Sequence, residues 1–231
     1  MNLHLSGKRV LVTGATRGIG LACAQSFAAE GARLVLTGRD AKALQEAAGK
    51  IADENRVQAE FVVGDLAEPG AAERMAEQAG AVDILVNNAG AVPGGSLEQV
   101  DEARWRAGWE LKVYGFINLA RCYFPRMREA GSGVIANIIG MAGASPRPDY
   151  ICGAAANAAL IAFTRALGAQ APDHGVRVFG VNPSRTRTDR VVTLARQKAQ
   201  SRLNDPDRWQ ETLTGLPFNR LMEPAEVADL V

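Results

Sequence analysis

Short apolar runs alternate with longer amphipathic segments along the whole chain, and that alternation predicts a strand–helix series. Val10-Leu11-Val12, Leu34-Val35-Leu36, Phe61-Val62-Val63, Ile84-Leu85-Val86, Val134-Ile135-Ala136-Asn137-Ile138 and Val176-Arg177-Val178-Phe179-Gly180-Val181 read as six strands. Helices are expected over 18–30, closed by Gly31, and over 40–53, 71–79, 98–128 and 150–171. Apolar strands separated by helices argue for a parallel sheet covered on both faces. The expected fold is α/β, one doubly wound parallel sheet in a single domain over 1–231, with no repeat or linker to divide it. Ligands in such folds bind beyond the carboxyl ends of the strands, and the chemistry-bearing residues fall there.

Composition narrows the function. The 26 basic and 25 acidic side chains leave a net charge of +1, which offers no field for nucleic acid or a membrane surface. No run of about 18 apolar residues stands out as a bilayer span. Met1-Asn2-Leu3-His4-Leu5 leads straight to the first strand, without room for a signal peptide. The cysteines Cys23, Cys122 and Cys152 are odd in number and do not have metal-ligand spacing. Free thiols in a reducing cytoplasm, and no metal site, are expected.

After the first strand comes Thr13-Gly14-Ala15-Thr16-Arg17-Gly18-Ile19-Gly20, opening the first helix. Glycines there allow a tight turn and let backbone amides approach a pyrophosphate. The helix N-terminus adds partial positive charge toward that anion. Gly64-Asp65-Leu66 follows the third strand, Asn87-Asn88-Ala89-Gly90 the fourth and Asn182-Pro183-Ser184 the sixth.

In this order the motifs resemble the short-chain dehydrogenase/reductase family over essentially the whole chain. The resemblance implies a Rossmann fold and a nicotinamide cofactor. It implies cofactor contacts from Gly14, Thr16, Arg17, Gly18, Ile19, Gly20, Asp65, Leu66, Asn88, Ala89, Gly90, Tyr150, Pro183 and Thr188. It also implies pairing into homodimers or homotetramers through the helices over 98–128 and 150–171. At the end of the second strand, NAD enzymes of this kind carry an acid for the ribose 2′-hydroxyl. Here that slot holds Gly38, with Arg39 after it and Arg17 in the glycine loop. Two guanidinium groups suit a 2′-phosphate, so NADP(H) is expected; nearby Asp40 keeps NAD possible.

The catalytic motif of the family is Tyr-x-x-x-Lys, aided by a serine and an asparagine. Aligned on Tyr150, this chain has Ala154 in the lysine slot, Gly140 in the serine slot and Lys112 in the asparagine slot. On that alignment the loop from Gly140 to Tyr150 is about three residues shorter than in common relatives. Ser145 is either a displaced substitute or a turn serine. A free phenol has a pKa of about 10 and needs help to work near neutrality. Lys112 either restores the lost cation beside Tyr150 or faces solvent, as most lysines do. Without a cation tyrosinate is scarce, which favours carbonyl reduction by a neutral phenol over alcohol oxidation.

Two functions follow. One is an NADPH-dependent oxidoreductase, of the short-chain dehydrogenase/reductase type, acting on a small carbonyl or alcohol substrate with Tyr150 and Lys112 as catalytic groups. The other is a dinucleotide-binding regulator or sensor that has lost the chemistry. Residues 184–215 form an insertion, at the family's substrate lid, that carries Arg185, Arg187, Arg190, Arg196, Arg202 and Arg208. With Arg147 they suit either an acidic substrate or a solvated helix face balanced by Asp189, Asp205, Asp207 and Glu211. The chain stops in a final helix where relatives continue into a seventh strand.

Overall fold

A computed structural model describes residues 3–231. Met1 and Asn2, the start of the N-terminal segment read above, lie outside the described residues. Six parallel strands form one sheet in the order β3-β2-β1-β4-β5-β6. They are β1 (Arg9–Thr13), β2 (Arg33–Gly38), β3 (Ala59–Val63), β4 (Ile84–Asn87), β5 (Gly133–Ile138) and β6 (Val176–Val181). The strand order reverses between β1 and β4, the switch point where such sheets open a crevice.

Strand periodicity assigns the two faces. Val10 and Val12 point to one side and Leu11 to the other, and all three are fully buried. On the first side they pack with Phe27 of α1 (Gly18–Ala29), Leu44 and Ile51 of α2 (Ala41–Asn55), and Val227. On the second, Leu11, Leu85 and Ile135 meet Met75 of α3 (Ala71–Ala79) and buried residues of a later helix, Leu119 and Tyr123. The apolar runs are continuous because helices cover both faces of the sheet.

Two helix readings need correction. The helix expected over 98–128 begins later, as α4 (Glu102–Trp109), and is interrupted by a π-helical turn at Glu110–Tyr114 before α5 (Gly115–Glu129). It cannot start at 98 because a turn holds 96–100, with the Ser96 amide donating to Gln99 Oε1. Asp101 then caps the helix by accepting from the Arg104 amide at 2.8 Å. The π turn brings Lys112 and Val113 into the interior. The helix expected over 150–171 is α6 (Ile151–Gln170), and Tyr150 stands outside it at φ −146°, ψ 40°, bridged to Gly95.

The bilayer reading is also corrected. The helical stretch Ile151–His174 is long and apolar enough to span a membrane by length and composition, with mean hydropathy 1.4. In the fold it packs on β6, with Cys152, Ala156 and Leu160 fully buried. Its Thr164 accepts from Asn137 Nδ2 on β5 at 2.9 Å. Those contacts make it a layer helix of the sheet.

The insertion after β6 forms α7 (Asp189–Leu203) and a 3-10 segment at Pro206–Thr212, and α8 (Pro224–Ala228) follows. Cys23, Cys122 and Cys152 are free thiols. Burial raises the pKa of all three, Cys23 to about 12, so thiolate is scarce at each.

Candidate active site

The glycine loop between β1 and α1 is shaped for a phosphate group. Gly14 and Gly18 take φ of 63° and 58°, a region that side chains resist. Arg17 precedes α1 without a side-chain cap, so the first amides of the helix are open to an anion. Asn88 braces the loop: its Nδ2 donates to Thr13 O at 2.9 Å and to Gly14 O at 3.2 Å. Thr13 Oγ1 accepts from the amides of Asn88 and Ala89 at 2.8 and 2.9 Å. Asn87 Nδ2 donates to Asn137 Oδ1 at 2.9 Å, tying the ends of β4 and β5 together.

The remaining expected cofactor residues follow the carboxyl ends of the strands. Thr16 lies beside Gly38 at the end of β2, and Thr188 rests its methyl near Gly18. Ile19 packs partly buried into the core. Leu66 is buried against Gly115, which leaves its backbone as the part able to face a ligand. The Pro183 carbonyl accepts from the Met141 amide at 2.9 Å, fixing the turn after β6. Arg17 and Arg39 are exposed. Arg39 Nη1 lies 3.5 Å from Asp65 Oδ2. Asp40 caps α2 by accepting from the Ala43 amide at 3.0 Å, so its carboxylate is already engaged.

The second cluster surrounds Tyr150. Its ring lies on the backbone of Gly153: a Cβ built there would sit 2.0 Å from Tyr150 Cζ and 2.5 Å from the hydroxyl. The phenol therefore fills the volume that a side chain at 153 would take. Gly140 has a matching relation with Asn157. At φ 127°, a Cβ on Gly140 would fall 2.8 Å from Asn157 Nδ2, which donates to Gly140 O at 3.3 Å. Asn157 is buried, and among the described residues its Oδ1 has no hydrogen-bond partner. Ala154 is buried, and Ser145 is exposed in a turn.

Lys112 points inward. It is 9% exposed, and its Nζ donates to Ile139 O at 2.6 Å. Its stem passes over Gly90, where an added Cβ would come within 3.0 Å of Lys112 Cδ. Among the described residues no hydrogen bond joins Lys112 to Tyr150. The cation acting most strongly on the phenol is Arg190 of α7, whose Nη2 donates to Val92 O. Arg190 is one of the lid arginines, and its place near the phenol depends on how α7 folds over the site. Burial raises the Tyr150 pKa above its usual value, with Arg190 pulling against that shift. Burial, then the charge of Arg190, lowers Lys112 to about 8.

The Lys112 shift carries a stability prediction. Its folded pKa is near 8 and its unfolded value 10.5, so between these pH values the unfolded chain binds more protons. Its contribution therefore improves as pH rises from 8 to 10.5 and is lost as pH falls through 8. At about 1.4 kcal/mol per pKa unit the swing is about 3 kcal/mol. Denaturant unfolding across this range should show wild type gaining on Lys112→Met by about that amount. Parallel pH profiles would contradict the shift.

The comparisons agree with this geometry. The family model for short chain dehydrogenase matches residues 8–199. Galactitol 2-dehydrogenase (L-tagatose-forming) of Cereibacter sphaeroides is 33% identical over 229 residues, covering 97% of this chain and 86% of the relative. The 2,3-dihydro-2,3-dihydroxybenzoate dehydrogenase of Bacillus subtilis is 28% identical, over 98% of this chain and 88% of that protein. Among solved structures, L-sorbose reductase of Gluconobacter frateurii, complexed with NADPH and L-sorbose, superposes with a TM-score of 0.92. It is 30% identical and covers 100% of this chain and 90% of its own.

Proposed function

The chain belongs to the short-chain dehydrogenase family, and on that premise we propose that it is an NADP(H)-dependent oxidoreductase reducing a small-molecule carbonyl. One observation carries the reading: the Tyr150 phenol occupies the side-chain volume of position 153, within the field of the Arg190 charge. Counted from 153, the loop after Gly140 regains its missing three residues, and the lysine slot moves from Ala154 to Asn157. The phenol thus enters the catalytic tyrosine's position from three residues upstream.

Burial keeps that phenol protonated at neutral pH, the form that gives a proton to a carbonyl oxygen. Arg190 stabilises the phenolate left behind. Asn157, donating through Nδ2, fills the space of the absent serine side chain. Lys112 adds a second cation and fixes the Ile139–Gly140 end of β5. A bound reduced nicotinamide would supply the hydride to the carbonyl carbon. The glycine loop would hold its pyrophosphate through the amides opening α1, and Arg17 with Arg39 would hold a 2′-phosphate. Engagement of Asp40 as a helix cap argues against a ribose-binding acid at this point, and so against a preference for NAD. Exposed Leu97 and Tyr114 beside α4 and α5 suit pairing into a homodimer or homotetramer.

Calorimetric titration should show NADPH binding at least about tenfold more tightly than NADH, a margin that Arg39→Ala removes. A screen of diketones, quinones and ketoses with NADPH should then show turnover. Equal affinity for both cofactors would overturn the NADP preference. The absence of a side chain at Gly140 favours a second reading, a nucleotide-binding protein without chemistry. Tight NADPH binding with no carbonyl reduced would select it.

A further inference from the structure

At the end of β5, two buried side chains from different elements hold two consecutive carbonyls. Lys112, from the π turn, donates through Nζ to Ile139 O at 2.6 Å. Asn157, from α6, donates through Nδ2 to Gly140 O at 3.3 Å. The amides on either side are engaged as well. Ile139 N–H donates to Val181 O at 2.8 Å and Met141 N–H to Pro183 O at 2.9 Å. The amide of Gly140 lies between them. Among the described residues no hydrogen bond engages it, although every other backbone polar group from Ile139 N to Met141 N is bonded.

The direction of this amide follows from its neighbours. Successive amides of an extended chain point to opposite sides, and those of Ile139 and Met141 both point to the chain at and after the end of β6. The Gly140 amide therefore turns away from β6, to the side where β4 lies. It also points away from Lys112, because N–H and C=O of a trans peptide are antiparallel. Gly140 is partly exposed and has no side chain to cover the amide. The phenol stands close by. Gly153 and Asn157 are one turn apart on the same face of α6. The Tyr150 hydroxyl lies 2.5 Å from the Cβ position of Gly153, and Asn157 Nδ2 2.8 Å from that of Gly140. Phenol and peptide thus stand against successive turns of one helix face.

We propose that the Gly140 amide donates a hydrogen bond to the carbonyl oxygen of the substrate, and that Lys112 is the positioning residue that fixes and polarises its peptide. A backbone donor left unpaired in a braced peptide is set before the substrate arrives, and it gains most as negative charge grows on the oxygen. A cation on the carbonyl of the same peptide draws electron density toward that oxygen and strengthens the N–H as a donor. Burial pushes Lys112 down only to about 8, so it keeps its charge near neutrality. The proposal rests on the reductase reading for the word substrate; the open amide stands apart from it.

The test reads the amide itself. Carbonyl-13C isoleucine with 15N glycine singles out the amides of Gly20 and Gly140, the glycines that follow isoleucine. Their hydrogen exchange and chemical shifts are followed in the NADP+-loaded protein, which has no hydride to transfer, with and without butane-2,3-dione or dihydroxyacetone. The Gly140 amide should exchange rapidly without a carbonyl. With one, it should slow by about tenfold and move downfield while Gly20 does not respond. Turnover with NADPH then separates charge from bracing, because Lys112→Gln keeps a neutral donor for Ile139 O and Lys112→Met keeps none. Lys112→Gln should lose about tenfold in kcat and Lys112→Met more, both with KM within a few-fold of wild type, since the bond strengthens in the transition state. Slowing at Gly140 with no carbonyl turned over would sustain the donor and overturn the reductase reading. A Gly140 amide already protected in the cofactor complex, or unmoved by both carbonyls, would overturn the proposal whatever the turnover. Full kcat in Lys112→Gln would overturn the polarising role of Lys112.

Discussion

Tyr150→Phe loses turnover by about 100-fold or more, the contribution of a positioned general acid, while keeping its fold and its NADPH affinity. The argument is geometric. The ring lies on Gly153, so phenylalanine fills the same volume and only the hydroxyl is lost. Arg190→Gln is the companion variant. It removes the cation that stabilises the phenolate and that lowers the phenol pKa. Turnover should fall, and the alkaline limb of the rate profile should move to still higher pH, because reduction needs the protonated phenol. The measurements are steady-state NADPH oxidation from pH 6 to about 11, spanning the usual tyrosine range, with thermal unfolding to confirm the fold. Turnover by Tyr150→Phe within a few-fold of wild type would remove the phenol from the chemistry.

The central strands β1, β2, β4 and β5 were legible because each carries an apolar run buried on both faces, whereas β3 and β6 lie at the sheet edges and are partly exposed. The glycine loop and the asparagine strand end were legible because turn chemistry leaves residues of fixed type at fixed spacing. The frame of the catalytic motif was harder to read. Aligned on Tyr150 the lysine slot falls on Ala154, and aligned on Gly153 it falls on Asn157. The shortfall of about three residues after Gly140 was a real signal, but only the Tyr150 ring on Gly153 gives it a physical meaning. Lys112 could be located but not oriented, since a single extra residue in a π turn decides whether that side chain faces core or solvent. Arg190 had no local signal at all: its place beside the phenol comes from the docking of α7, a long-range contact that spacing cannot express. For the lid arginines, composition gave charge without pairing, and pairing is what separates a solvated face from a binding site.

Gly20→Ala should be the most damaging single-methyl change in the cofactor site. A Cβ there would lie 2.3 Å from Gly14 O, 2.9 Å from Gly14 C and 2.5 Å from Asn88 Nδ2. Two of these atoms are backbone, and the third is the amide that braces the loop from Thr13 O and Gly14 O. No rotamer change relieves the clash. Either α1 must move away from β1 or the glycine turn must open, and both displace the amides available to the pyrophosphate. Overpacking of this kind costs about 3 kcal/mol, toward the upper end of the usual range. NADPH affinity should fall by about 100-fold, which corresponds to roughly 2.7 kcal/mol of binding. Gly49→Ala is the matched control. Gly49 lies inside α2 with open space where a Cβ would go, so alanine should stabilise the fold by about 0.5–1 kcal/mol and leave cofactor binding alone. Urea unfolding of the two variants gives opposite signs, and NADPH titration a loss for Gly20→Ala alone, if close packing of Gly20 on Gly14 builds the site. Similar behaviour of both would mean that the loop adjusts to a methyl group, and that its glycines serve the turn without setting the approach of helix to strand.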